Sequence, residues 1–131
     1  MAALHLAGAD FPMARRNSLS IGDWRPLLEA SAARADEVFP GLTELLDAEL
    51  HLLEDRWPDD LPTGIIHADL FPDNVFFLDG GVSGVIDFYF ACTDAFAYDI
   101  AICLNAWCFE PDGAFNATKA RHMLAAYRRV R

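Results

Sequence analysis

The sequence predicts an α+β protein, mostly helical, with a small β insert that carries a polar loop. Three observations lead there. Helical periodicity dominates before and after the middle of the chain, most plainly where Leu42, Leu45, Leu46, Leu50 and Leu53 share one face. Between the helical stretches lie short β-branched and aromatic runs, "GIIHADL", "NVFFLDG" and "GVIDFYF", two of them joined by a glycine-rich turn. Among those runs sits "HADLFPDN", His67 to Asn74, which packs a His, two Asp and an Asn into eight residues.

The elements follow in order. "AALHLAGADF" reads as the end of a helix that Gly8 stops. "PMARRNSLS" is a loop carrying Arg15, Arg16 and Asn17. Ser20, with Asp23 three residues on, is the expected N-cap of a helix through Trp24, Leu27 and Leu28 to Val38. Pro40 and Gly41 break it, a second helix runs from Leu42 to Arg56, and Pro58 ends that one. The β runs come next, with "LDGGVSG" as a hairpin turn. From Thr93 onward helix is expected to return, with "DAFAYDIAICLNAWCF" as a long buried helix that "EPDG" breaks. Asn116 then caps a last helix in "ATKARHMLAAYRRVR".

Composition narrows the function. The 131 residues suit one domain, and 53% hydrophobic content suits a buried core. The net charge of −10 excludes a nucleic-acid surface, which needs clustered cations. No apolar run approaches the roughly 18 residues of a membrane span. The N-terminus has neither the basic start nor the apolar stretch of a secretory signal, so a cytoplasmic protein is expected. Cys92, Cys103 and Cys108 form no CxxC pair and lie in apolar surroundings, as buried free thiols do. His and Cys do not cluster at zinc-ligand spacing.

The chemistry is concentrated in a stretch poor in cations. No Lys or Arg lies between Arg56 and Lys119, yet several Asp do, including Asp87 at the end of the apolar run "GVIDFYF". A carboxylate there needs a positive partner. A bound divalent metal supplies one, and hard oxygen ligands such as Asp and Asn favour Mg²⁺ over zinc. The spacing fits phosphoryl transfer. Asp69 and Asn74 stand five residues apart, as D-x-x-x-x-N, and Asp87-Phe88 follows thirteen residues after the Asn. In that reading Asp69 accepts the proton of an attacking hydroxyl, while Asn74 and Asp87 hold metal against the nucleotide phosphates.

"GIIHADLFPDNVFF" followed by "GVIDFYFACTDAFAYDIAICLNAWCF" resembles the aminoglycoside phosphotransferase/choline kinase family, and within it most closely the homoserine kinases of this fold. The resemblance implies a protein-kinase-like fold, ATP and Mg²⁺ as cofactors, and a small-molecule acceptor, homoserine or similar. It implies that His67 supports the loop rather than reacting and that Asp99, in "AYDIA", ties down the loop backbone. The competing view of Asp99 is a surface charge, against which its neighbours Ala97, Ile100 and Ala101 argue for burial. The family's glycine-rich phosphate loop, strand Lys and the Glu that pairs with it are not found here. The chain is therefore expected to be a single partial domain, the C-terminal lobe of the fold without its N-lobe and last C-terminal helices. It is expected to be inactive alone and to self-associate through exposed lobe faces.

Arg15, Arg16 and Asn17 are candidates to bind the acceptor's carboxylate, with a solvated basic turn as the alternative. Tyr89 is a candidate to line the acceptor pocket, with a core aromatic as the alternative. Three rival readings stay open: an aminoglycoside- or choline-type kinase, a non-catalytic kinase-like fragment, and, more weakly, a metal-dependent hydrolase.

Overall fold

A computed structural model describes all 131 residues, Met1–Arg131. The elements run α1 (Ala2–Ala7), α2 (Ile21–Val38), α3 (Leu42–Arg56), β1 (Thr63–Ile66), β2 (Val75–Leu78), β3 (Gly81–Val85), β4 (Cys92–Ala95), α4 (Phe96–Trp107) and α5 (Ala117–Arg128). This is the mostly helical α+β architecture with a small β insert. Two compact units make up the chain: Met1–Asn17 with Leu61–Arg131, and Ser18–Asp60.

In the larger unit the strands form two antiparallel pairs. β1 pairs with β4, in a register that sets Thr63 against Ala95 and Ile66 against Cys92. β2 and β3 form a hairpin whose two-residue loop, Asp79-Gly80, takes positive φ at both positions (51° and 77°), as a type I′ turn requires. The register shifts between Phe76 and Phe77, which leaves Ser83 as a bulge. β4 corrects the expectation that helix resumes at Thr93. Cys92–Ala95 is extended, and the helix begins only at Phe96. The sequence "CTDA" has no strand pattern of its own, and pairing with β1 decides its conformation.

Ile66, Cys92 and Phe96 form the core of this unit, with Ala68 and Tyr98 packed against them. Burying Ile66 completely contributes about 1.5–3 kcal/mol. Gly64 makes the close approach possible, because a Cβ there would lie 2.3 Å from Phe96 Cζ. Gly64→Ala is expected to destabilise the protein by about 1–3 kcal/mol through overpacking, read as a lower urea midpoint at unchanged slope. An unchanged midpoint would show that Phe96 moves aside freely.

α4 is not buried all round. Phe96, Asp99 and Cys103 make one buried stripe at helical spacing, while Ala97, Ala101 and Asn105 are exposed on another face. All three cysteines are free and buried. Burial pushes the Cys92 thiol up to about 11 and that of Cys103 up to about 12, so neither is a reactive thiolate at neutral pH. The Asn116 side chain caps α5 as expected, accepting from the N–H groups of Thr118 and Lys119 at 3.0 and 2.9 Å.

The smaller unit is a hairpin of α2 and α3, joined through Gly41 at φ 84°. Ser20 precedes α2 in extended backbone, but its hydroxyl makes no cap bond. Its carbonyl instead accepts the Asp23 N–H at 2.8 Å. The α3 N-terminus is capped from outside: the Thr43 N–H donates to Asp36 Oδ1 at 2.9 Å, which holds that carboxyl below the usual carboxylate range. Arg25 joins the two helices through Glu54 and Asp47. Of the α3 leucine face only Leu50 is buried in this unit, and Leu45, Leu46 and Leu53 are exposed.

Candidate active site

β1 delivers the chain into the polar loop at His67. The next residue, Ala68, takes φ 63°, a left-handed conformation that side chains rarely adopt and that costs about 1 kcal/mol or more. What holds it is the carboxylate of Asp99, which is fully buried on α4. Ala68 N–H donates to Asp99 Oδ1 at 2.8 Å and His67 N–H points at Oδ2 at 3.4 Å. Asp99 therefore accepts hydrogen bonds from the loop backbone at two successive residues. The neighbours that argued for its burial do not share it, since Ala97 and Ala101 are exposed. Further on, Phe71 N–H donates to the Asp69 carbonyl and Asn74 N–H to the Phe71 carbonyl, closing the 3₁₀ turn Pro72–Asn74. The indole N–H of Trp107 donates to the Leu70 carbonyl at 2.6 Å, so a second α4 residue anchors the loop.

The loop's polar side chains are sorted by these ties. Asn74 is buried, and its amide nitrogen donates to the Asp69 carbonyl (2.8 Å) and to Asp69 Oδ2 (3.0 Å). That aims the half-buried Asp69 carboxylate and turns the Asn74 amide oxygen away from it. Asp73 faces solvent and joins neither contact. Ile86, just past β3, links the loop to the second carboxylate. Its N–H donates to the Asn74 carbonyl at 3.1 Å, and its own carbonyl accepts from His67 Nε2 at 2.9 Å. His67 is fully buried, its Nδ1 has no partner, and its ring lies 4.6 Å from that of Phe88. The imidazole acts as a brace between the two segments, with Nε2 as the donor. Asp87 follows Ile86 at φ 62°, a second left-handed non-glycine residue.

Asp87 itself is exposed, because β3 ends at Val85 and the chain turns outward at Ile86–Asp87. Contrary to the expectation from the apolar run, an exposed Asp87 needs no cation to offset desolvation. A cation does reach this region from a distant segment: the Arg15 guanidinium donates to the Tyr89 carbonyl. Tyr89 is 81% exposed, so it is not a core aromatic. Residues 15–17 run along β4. Thr93 N–H donates to the Arg15 carbonyl at 2.7 Å, and Arg16 forms a parallel bridge with Thr93. Asn17 is buried, and its amide nitrogen donates to Asp94 Oδ2 at 2.7 Å, which makes it a tie to β4. Arg15 and Tyr89 are thus together and open to solvent, and Asn17 is turned inward.

The donor set fits Mg²⁺. Asn74 and Asp87 offer hard oxygens, and no three His, Cys, Asp or Glu side chains converge as a metal centre. Two protein ligands suit a cation that keeps several waters and completes its shell with substrate phosphate.

An Asp held by the amide of an Asn five residues on, with the residue before a second Asp tied to that Asn's backbone, is an arrangement that phosphoryl-transfer chemistry could use. The chain belongs to the phosphotransferase enzyme family, which it matches over residues 1–131. Among curated proteins it is 66% identical over 131 residues to the homoserine kinase of Rhodospirillum rubrum, 63% to that of Xanthobacter autotrophicus and 64% to that of Rhodopseudomonas palustris strain HaA2. Each match covers 100% of this chain but only 40–41% of the relative. Among solved structures the chain is similar to the crystal structure of an aminoglycoside-3'-phosphotransferase of type VIII, with a TM-score of 0.73 and 23% identity, over 98% of this chain and 49% of that one. That likeness establishes the kinase-like fold. No helix is long and apolar enough to cross a membrane.

Proposed function

We propose that this chain is one partial domain of a homoserine kinase and carries its catalytic loop, in an enzyme that moves the γ-phosphoryl group of ATP to the side-chain hydroxyl of homoserine. The observation that carries the proposal is the tie through Ile86, which bonds the residue before Asp87 to the backbone of Asn74, whose amide in turn holds Asp69. The names of the relatives, at 63–66% identity along the whole chain, support homoserine as the acceptor.

In this mechanism Asp69 orients the acceptor hydroxyl and takes its proton as the oxygen attacks phosphorus. Asn74 keeps the Asp69 carboxylate in one direction, so the base meets the hydroxyl without rearranging. Asn74 and Asp87 would hold Mg²⁺, which when bound would neutralise charge on the phosphoryl oxygens. His67 does no chemistry and braces the two ligand segments. Arg15, beside the exposed Tyr89, is placed to meet the acceptor's carboxylate, with Arg16 next to it in sequence. The glycine-rich loop and strand Lys that bind nucleotide in kinases are not among these residues, so the tests use the chain completed to its relatives' length.

Homoserine is expected to drive ATP consumption in Mg²⁺, and choline or an aminoglycoside is not. Turnover only with one of the latter would move the protein to another acceptor class. Mg²⁺-ATP at about a hundred times its Kd is expected to stabilise the wild type by about 2.7 kcal/mol, and Asp87→Asn to lose most of that gain in a thermal-shift measurement. Equal stabilisation of both proteins would remove Asp87 from the metal site.

A further inference from the structure

We infer that His5, in the short helix α1, is a positioning residue for the catalytic loop, acting through Asp99 on Ala68. This rests on the phosphoryl-transfer reading for its kinetic consequence, but not for its structural one.

His5 is 1% exposed and Asp99 is fully buried. His5 Nε2 lies 2.8 Å from Asp99 Oδ2, and His5 Nδ1 lies 2.9 Å from the hydroxyl of Tyr127 on α5. A carboxylate only accepts, so Nε2 carries the proton it donates. In the neutral ring Nδ1 is then the acceptor, and Tyr127 donates to it. The ring is also held 4.7 Å from that of Phe96. No Arg or Lys pairs with Asp99, and its donors are His5 and the two loop amides.

The division of the oxygens gives His5 its role. Oδ1 receives Ala68 N–H, while Oδ2 receives His5 at 2.8 Å and His67 N–H at a longer 3.4 Å. The short, charge-assisted bond from His5 fixes the rotation of the carboxylate. That rotation points Oδ1 at Ala68 and keeps Ala68 in its left-handed conformation. Asp69 is the next residue, and its direction depends on the Ala68 torsions. A carboxylate freed to turn by a few tens of degrees loses Ala68 and lets the candidate base wander.

The test compares His5→Leu with His5→Gln in the chain completed to its relatives' length. Gln can donate to Asp99 and accept from Tyr127, and Leu can do neither. His5→Leu is expected to lower kcat by about 10²-fold, with KM for ATP and acceptor within about twofold, since misplaced groups cost turnover rather than binding. Exchange of the Ala68 amide hydrogen is expected to quicken by about tenfold or more. His5→Gln is expected to recover most of both. A folded His5→Leu with unchanged Ala68 exchange overturns the inference. So does a folded His5→Gln no better than His5→Leu. Where His5→Leu does not fold, Tyr127→Phe decides, because it loosens His5 while leaving Asp99 its donor. Faster Ala68 exchange in that variant supports the role, and wild-type exchange overturns it. If the wild type transfers no phosphoryl group at all, the kinase reading fails and the exchange measurements still judge His5.

Discussion

Asp69→Asn is expected to lower kcat for phosphoryl transfer by about 10²–10⁴-fold, the range a positioned general base contributes. The substitution is chosen because it is structurally mild. Asp69 is half-buried, and an amide oxygen in place of Oδ2 still accepts the bond from the Asn74 side chain. The loop's other anchors, to Asp99 and from Trp107, do not involve the Asp69 side chain. The effect should therefore fall on turnover, with KM for ATP nearly unchanged. Steady-state kinetics over a range of homoserine concentrations decide it. A kcat within about tenfold of wild type would remove Asp69 from proton transfer and leave it an orienting role at most.

Asp99→Ala is expected to have the largest effect on stability, a loss of about 3–5 kcal/mol. The carboxylate accepts from three donors, His5 Nε2, His67 N–H and Ala68 N–H, in a site without solvent. Truncation leaves all three without a partner, and each buried donor stripped of its acceptor costs about 1–3 kcal/mol before relaxation. Ala68 also loses the bond that offsets its left-handed backbone. Chemical denaturation should show a lower midpoint at unchanged slope. A loss below about 1 kcal/mol would mean that the site collapses or takes in water, and that Asp99 is not the anchor of the loop.

Legibility in the sequence followed the range of the interactions. α3 was readable to its end residues, because Pro40-Gly41 and Pro58 punctuate it locally. The Asp79-Gly80 turn and the Asn116 cap were readable for the same reason. β4 was not, since "CTDA" owes its extended form to β1, nearly thirty positions earlier in the chain. Asp69, Asn74 and Asp87 stood out through their spacing, which reflects one loop and one hairpin. His5 left no such mark. It lies among apolar residues of a short helix, and its partner Asp99 is 94 residues away. Trp107, 37 residues from Leu70, and the contact of Arg15 with Tyr89, 74 residues on, were hidden in the same way. The stretch without Lys or Arg was read as a need for metal, and tertiary folding brings a guanidinium to its edge as well.

Ile86 has no chemistry of its own, yet both faces of its peptide are engaged, the N–H by the Asn74 carbonyl and the carbonyl by His67. The backbone spacing between Asn74 and Asp87 is thereby set by folding. On the proposed reading of Asn74 and Asp87 as ligands, the backbone part of that spacing is already fixed before an ion arrives, and the entropy lost on binding is that of the Asp87 side chain. Were the two to hold an ion, as proposed, its affinity would respond to changes at Ile86 that touch neither ligand.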